Sequence, residues 1–209
     1  MTLTEDIWQV IHSIASVYNP DQSGNNVSYQ NKKIRRTFIT FLQSIGDMLP
    51  VDDFSDKFKV ELNNSIPTDI ELSNNVKLLQ WSYRFEVAVS GTSLPFERFI
   101  EKYTDIPKSF WAHPTWRLIH IFPTLYPATY SQRAATAYIN FMESLAYVIP
   151  CPICSGHLKA NLKAFPLTKE HLQSRNSLFM WSYLLHERVN RQLNNKSISL
   201  EFAKRLYNM

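Results

Sequence analysis

The chain has 209 residues, 44% hydrophobic, 13% aromatic and 19% charged, with a formal net charge of +4. That length suits one large domain or two small ones, and the apolar content excludes wholesale disorder. No apolar run reaches membrane-spanning length, and the acidic start from Met1 to Asp6 leads into no secretory segment, so a soluble intracellular protein is expected.

The hydrophobic period is helical nearly throughout. Thr2 and Glu5 predict a capping box ahead of a helix whose apolar face is Ile7, Val10, Ile11, Ile14 and Tyr18. Ile34, Phe38, Phe41, Leu42, Ile45 and Leu49 trace a second helix, stopped by Pro50. It opens on Lys32-Lys33-Ile34-Arg35-Arg36, the densest basic cluster, read as a solvated helix face and not as a nucleic-acid patch. Phe54, Phe58 and Leu62 mark a third helix, and Val76, Leu79, Tyr83 and Val87 a fourth between a Ser73 cap and a Gly91 stop. A short fifth spans Pro95 to Tyr103. The order then recurs: Trp116 to Leu125, Ser131 to Ile149, Pro152 to about Ala164, Ser174 to about Leu193, and Ser199 to Tyr207. No period-two strand is evident, so the fold class is all-α.

The recurrence extends to residues. Trp8–Tyr18 aligned with Trp116–Tyr126, Phe38–Pro50 with Tyr138–Pro150, and Trp81–Ser90 with Trp181–Asn190 give 12 identities in 34 positions. Chance would give roughly two. The offset falls from 108 to 100 after the first block, which puts eight extra residues in the loop around Asn19 to Tyr29. The expected organisation is two tandem five-helix units, residues 1–105 and 106–209. The units differ chemically. Cys151-Pro152-Ile153-Cys154 faces Val51-Asp52-Asp53-Phe54, and His186 and Asn190 face Glu86 and Ser90. The first unit reads as a degenerate scaffold and the second as the working half.

The chain holds two cysteines, too few to staple a secreted scaffold. Pro150 ends one helix and Pro152 starts the next, which puts Cys151 at an N-cap and Cys154 in the first turn. Free N–H groups and the helix dipole favour a thiolate there, so a redox-active pair is the leading reading. The alternatives are inert thiols or a zinc half-site in which Cys151, Cys154 and His157 leave one ligand vacant. A dithiol oxidase also needs a two-electron acceptor. Trp116 and His120 on one helix face, and Trp181, His186 and Asn190 on another, could wall a planar cofactor slot.

These residues, in order, resemble the Erv/ALR family of FAD-dependent sulfhydryl oxidases. The resemblance rests on Trp116-x-x-x-His120, Tyr126-Pro127, the Cys151–Cys154 motif with His157, Trp181, and His186-x-x-Val189-Asn190, over about residues 110 to 207. It implies a four-helix bundle with a short fifth helix holding FAD, with Cys154 nearest the flavin and Cys151 exchanging with substrate. Trp116, His120, Tyr126, His157, Trp181, His186 and Asn190 match family positions around FAD, and Arg191 or Lys196 would reach its phosphates. Glu187 departs from the usual Asn and is expected to point outward. The shuttle cysteine pair and the bracing cysteines of many members are missing. The family's homodimer, built here into one chain, is similar to the baculoviral sulfhydryl oxidases. The resemblance further implies oxygen reduction to hydrogen peroxide and protein thiols or a dithiol relay protein as partners, with further homodimerisation allowed. It also implies a place in the cytoplasm or nucleus of an infected cell, or in the virion. A catalytically silent protein and a zinc-binding module on the same helices are the competing classes.

Overall fold

The computed structural model describes residues 2–19, 27–91 and 94–209, the side chains of 27–32 excepted. Every regular element among them is a helix: α1 (Leu3–Val17), α2 (Val27–Met48), α3 (Asp53–Asn64), α4 (Asn75–Ser90), α5 (Phe96–Tyr103), α6 (Lys108–Leu125), α7 (Gln132–Val148), α8 (Pro152–Ala164), α9 (Arg175–Gln192) and α10 (Leu200–Leu206). The all-α expectation holds. The expected insertion around Asn19 to Tyr29 lies mostly outside the described residues. No described helix is long and apolar enough to cross a membrane.

Most helix ends follow from local chemistry. Thr2 and Glu5 form the capping box on α1. Ser131, Ser174 and Ser199 accept from the N–H three residues on and start α7, α9 and α10. Gly91 closes α4 at φ 76°, a left-handed conformation that favours glycine. The cap of α4 is Asn74, not the expected Ser73, whose hydroxyl instead donates to the Ile70 carbonyl in a 3₁₀ turn over Glu71–Ser73. Helix α2 begins at Val27, ahead of the expected start near Ile34, because an apolar stripe marks burial and not the extent of the helix.

The largest departure is α6, which starts at Lys108, two turns before the expected Trp116, and carries Pro114 and Pro123 inside it. Each proline removes the N–H that would bond the carbonyl four residues back. Both freed carbonyls are taken by side chains of other helices. The Gln9 amide of α1 donates to the Phe110 oxygen at 2.6 Å. The buried Tyr138 hydroxyl of α7 donates to the Ile119 oxygen at 3.0 Å. Long-range partners therefore let the helix pass through two prolines.

Helix α1 packs on α4, and α6 on α9 in the same way. Matching bonds recur at matching places. His12 Nδ1 lies 3.0 Å from Ser82 Oγ, and His120 Nδ1 lies 3.0 Å from Ser182 Oγ. Tyr83 donates to the Leu94 carbonyl, and Tyr183 to the Ile198 carbonyl. Between the halves, α1 lies on α6 and α2 on α7. Phe41 stacks on Phe141 at 5.8 Å midway along the antiparallel α2–α7 pair, with Lys33 near Tyr147 at one end and Asp47 near Arg133 at the other. Across α1–α6, fully buried Asp6 Oδ2 sits 2.9 Å from Arg117 Nε. Burial raises the Asp6 carboxyl above its ordinary range although Arg117 opposes the shift.

Candidate active site

Cys151 is the N-cap of α8 and its Sγ accepts from the Cys154 N–H at 3.1 Å, with Pro152 in the first turn. The two sulfurs form a disulfide across a Cα–Cα distance of 5.2 Å. Pro150 cannot continue α7, and the turn is closed by Cys151 N–H donating to the Ile149 carbonyl at 2.7 Å. The motif thus sits where the free N–H groups of α8 favour negative sulfur. Ser155 ties this turn to α7 through a bond to the Ala146 carbonyl at 2.7 Å.

Cys154 lines an apolar cavity of about 150 Å³ with Trp111, Trp116, Ile119, His157, Val189 and Leu193 among its walls. Cys151 lies off that wall and is partly exposed. On the other side of Trp116 is a larger cavity of about 540 Å³, bordered by His120, His186, Asn190, Lys196, Arg117 and Tyr207 among others. Trp116 therefore stands between an apolar slot at the sulfur and a polar chamber carrying two cations.

The imidazoles beside Trp116 form an ordered chain. The Ser182 hydroxyl donates to the Phe179 carbonyl at 2.8 Å, so His120 Nδ1–H donates to Ser182 Oγ. His120 Nε2 is then the acceptor, and His186 Nδ1–H donates to it at 2.9 Å. That tautomer leaves His186 Nε2 as a lone pair on a ring stacked on Trp116, centroids 3.9 Å apart and planes within 3°. Burial pushes His120 down to about 3, with the neighbouring His186 adding to the shift. Burial likewise pushes His186 down to about 4, against the opposing pull of Glu187. Both rings are neutral near pH 7.

Of the sequence-derived candidates, Cys154, His157 and Trp116 meet at the apolar cavity, and Trp116, His120, His186, Asn190 and Lys196 meet at the larger one. Trp181 and Tyr126 reach neither wall. Trp181 is fully buried between Phe165 and Tyr138, and its Nε1 has no hydrogen-bond partner. Tyr126 braces the chain by donating to the Leu172 carbonyl at 2.8 Å. Arg191 is exposed and off the cavity, whereas Lys196 borders it. Glu187 does not point outward as expected. It borders the larger cavity, because the chamber spans the arc of α9 from Tyr183 to Asn190. His113, Arg117, Tyr183 and Tyr207 were not singled out from sequence. His113 and Arg117 share a face with Trp116 and His120 at offsets of three, four and seven, so helical spacing held the signal.

The first half differs at each reactive place. Val51 stands 94% exposed where Cys151 would be. Phe54 replaces Cys154, and its ring packs with Trp8, Phe58 and Phe85 in one aromatic cluster. Glu86 takes the place of His186, with Oε2 3.0 Å from His12 Nε2. Among the described residues, no group of three or more His, Cys, Asp or Glu is arranged to hold a metal ion.

The profile of the Erv1/Alr family matches residues 113–208. A probable FAD-linked sulfhydryl oxidase of Acanthamoeba polyphaga mimivirus is 30% identical over 89 residues, 43% of this chain and 62% of that one. An FAD-linked sulfhydryl oxidase of African swine fever virus is 31% identical over 101 residues, 46% of this chain and 79% of that one. A putative FAD-linked sulfhydryl oxidase of Invertebrate iridescent virus 3 is 24% identical over 102 residues, 49% of this chain and 68% of that one. No solved structure matches the chain. All these matches take in less than half of the chain. With the cysteine pair, the histidine chain and the larger cavity inside the matched segment, the chain belongs to the Erv1/Alr family.

Proposed function

We propose that the chain is an FAD-dependent thiol oxidase that makes disulfides in protein substrates and reduces oxygen to hydrogen peroxide. One observation carries the reading: Cys154 of a Cys-x-x-Cys disulfide lines an apolar slot, and Trp116 borders both that slot and a larger polar chamber. The donor set fits FAD. Trp111, Trp116, Ile119, Val189 and Leu193 offer flat apolar walls for the isoalloxazine, and Arg117, Lys196, Asn190 and neutral His186 offer cations and hydrogen bonds for the phosphates and adenosine. FAD supplies a two-electron acceptor that can pass its electrons to oxygen.

The protein's own steps begin at the disulfide. A substrate thiolate attacks Cys151 Sγ, the bond to Cys154 breaks, and its electron pair remains on Cys154 as a thiolate. The N-terminus of α8 stabilises that charge. A second substrate thiolate then attacks the substrate sulfur of the mixed disulfide, which leaves an oxidised substrate and a Cys151 thiolate. Cys154 is held against the slot while Cys151, off that wall and partly exposed, takes the incoming thiol.

In the same reading, residues 1–105 are a scaffold unit and residues 106–209 the catalytic one, so that one chain stands in for a dimer. Supporting this are the paired bonds at His12 and His120 and the aromatic filling around Phe54. The partners are protein thiols or a dithiol relay protein, within an infected cell or its virion. The test is the flavin absorbance of purified protein after denaturation. One flavin per chain is expected. Two would give the first half a cofactor site, and a colourless protein that takes up no FAD would leave a silent or zinc-binding protein instead.

A further inference from the structure

The α2–α7 pair makes two related grooves, one at each end. Their residues correspond at an offset of 100: Lys33 with Arg133, Asp47 with Tyr147, Lys59 with Lys159. At the end beside the inactive motif, Arg133 meets the Asp47 carboxylate, and Lys59 borders the same groove. The carboxylate there stands among the cations. At the end beside the cysteines, Tyr147 takes the place of Asp47. Lys159 Nζ sits 3.8 Å from the centre of the Tyr147 ring and Lys33 Nζ 5.2 Å from it. Arg36 borders the same groove, a cavity of about 430 Å³, and exposed Glu143 is the one carboxylate on its described wall. Neither Lys33, Arg36 nor Lys159 has an ion-pair partner among the described residues. Lys159 is held below its ordinary range chiefly by burial, with Lys33 adding to the shift.

The groove neighbours the cysteine motif along the chain. Tyr147, in the last turn of α7, lies four residues before Cys151, and Lys159 lies about 12 Å along α8 from Cys151 at the usual helical rise. A cation pair that packs on one exposed ring, with its internal carboxylate replaced, lacks the anion its counterpart keeps. We propose that the Lys33–Tyr147–Lys159 groove docks an acidic segment of the thiol substrate and presents the substrate cysteine to Cys151. The proposal rests on the oxidase reading and names the substrate class: protein thiols flanked by Asp or Glu. The preference comes from both halves of the chain, Lys33 from the first and Tyr147 and Lys159 from the second. It gives the first half a part in substrate choice without a reactive group of its own.

The test uses the full-length holoprotein and three probes: a dithiol peptide with glutamate flanks, its counterpart with lysine flanks, and dithiothreitol. Wild type should show a KM for the acidic peptide about tenfold below that for the basic one, and about 0.5 M NaCl should remove the difference. Tyr147→Asp restores the residue that the counterpart groove carries, so the fold should tolerate it. It should raise the acidic-peptide KM about tenfold, as should Lys33→Glu, with dithiothreitol turnover unchanged. Binding of a cysteine-free acidic peptide, read by fluorescence anisotropy, should weaken in parallel and needs no turnover. Equal KM values for the two peptides in wild type, or an unchanged acidic-peptide KM and affinity in Tyr147→Asp, would overturn the proposal. So would a short DNA duplex that binds at Lys33 more tightly than the acidic peptide, since the groove would then serve nucleic acid. Failure to oxidise dithiothreitol would instead sink the oxidase reading, while the anisotropy measurement would still decide the docking.

Discussion

Removing the Tyr138 hydroxyl tests whether a long-range side chain carries the second proline of α6. Tyr138 is 1% exposed and its hydroxyl donates to the Ile119 oxygen, the acceptor that Pro123 leaves without a backbone donor. Tyr138→Phe keeps the ring and its packing but strands a buried carbonyl, at a cost of about 1–3 kcal/mol. Taking ~2 kcal/mol, the melting temperature of a chain this size should fall by about 4–8 °C. Pro123→Ala supplies the missing N–H from within the helix. In that background the same Tyr138→Phe change should cost no more than about 0.5 kcal/mol, a coupling of ~1.5 kcal/mol between residues on different helices. Urea unfolding of the four proteins at saturating FAD measures the cycle. The region matters because Ile119 lines the slot at Cys154 and His120 follows it. Equal costs of Tyr138→Phe with and without the proline would show that the hydroxyl is not the proline's substitute, and the account of α6 would fail.

Cys151→Ser should leave a Cys154 thiolate against the slot and give the holoprotein a long-wavelength charge-transfer band, while Cys154→Ser should bind flavin without that band. The band appearing in the Cys154 variant would reverse the two roles. After reduction of the holoprotein, iodoacetamide should label Cys151 faster than Cys154, because only Cys154 lines the slot; equal rates by mass spectrometry would contradict that placement. His120 and His186 sit at about 3 and about 4 in the folded protein, below the ordinary 6.5. The unfolded chain therefore binds more protons below pH 6.5, and the stability associated with neutral rings is full above that pH and declines as pH falls toward 4. Urea midpoints should drop between about pH 7 and pH 4.5, with a shallower slope in His186→Gln; identical slopes would show that His186 is not held neutral by its burial.

What the sequence revealed was local. Pro150 and Pro152 flank Cys151, so its N-cap position was legible in the sequence, as were the serine caps of α9 and α10. Helical spacing brought His120 and His186 to the same place because each repeats along one face of its own helix. The beginning of α6 was hidden for the opposite reason. Pro114 is a local stop signal, and only Gln9, more than a hundred residues away, makes it tolerable. Trp181 and Tyr126 look like cofactor rings by motif, yet core packing and loop bracing hold them off both cavities. Arg117 was visible on the same face as His120, but its value depends on Asp6 across the helix pair, which no periodicity reports.

If the two units stand in for a dimer as proposed, the Asp6–Arg117 contact favours association of unlike halves. Across the same pair of helices the counterpart position of Asp6 is Pro114, and that of Arg117 is Gln9, whose amide is already committed to the Phe110 carbonyl. Were two second halves from different chains to pair, each Arg117 would meet Pro114 and lose its carboxylate. Two first halves would bury Asp6 against a neutral amide. Either mismatch strands a desolvated charge, at a cost on the order of a few kcal/mol. Only an unlike pairing satisfies both, so newly made chains crowded together in a cell are steered away from joining like halves to like. The asymmetry at two positions would then do for assembly what tethering alone cannot, since a tether raises the local concentration of the right mate without penalising the wrong one.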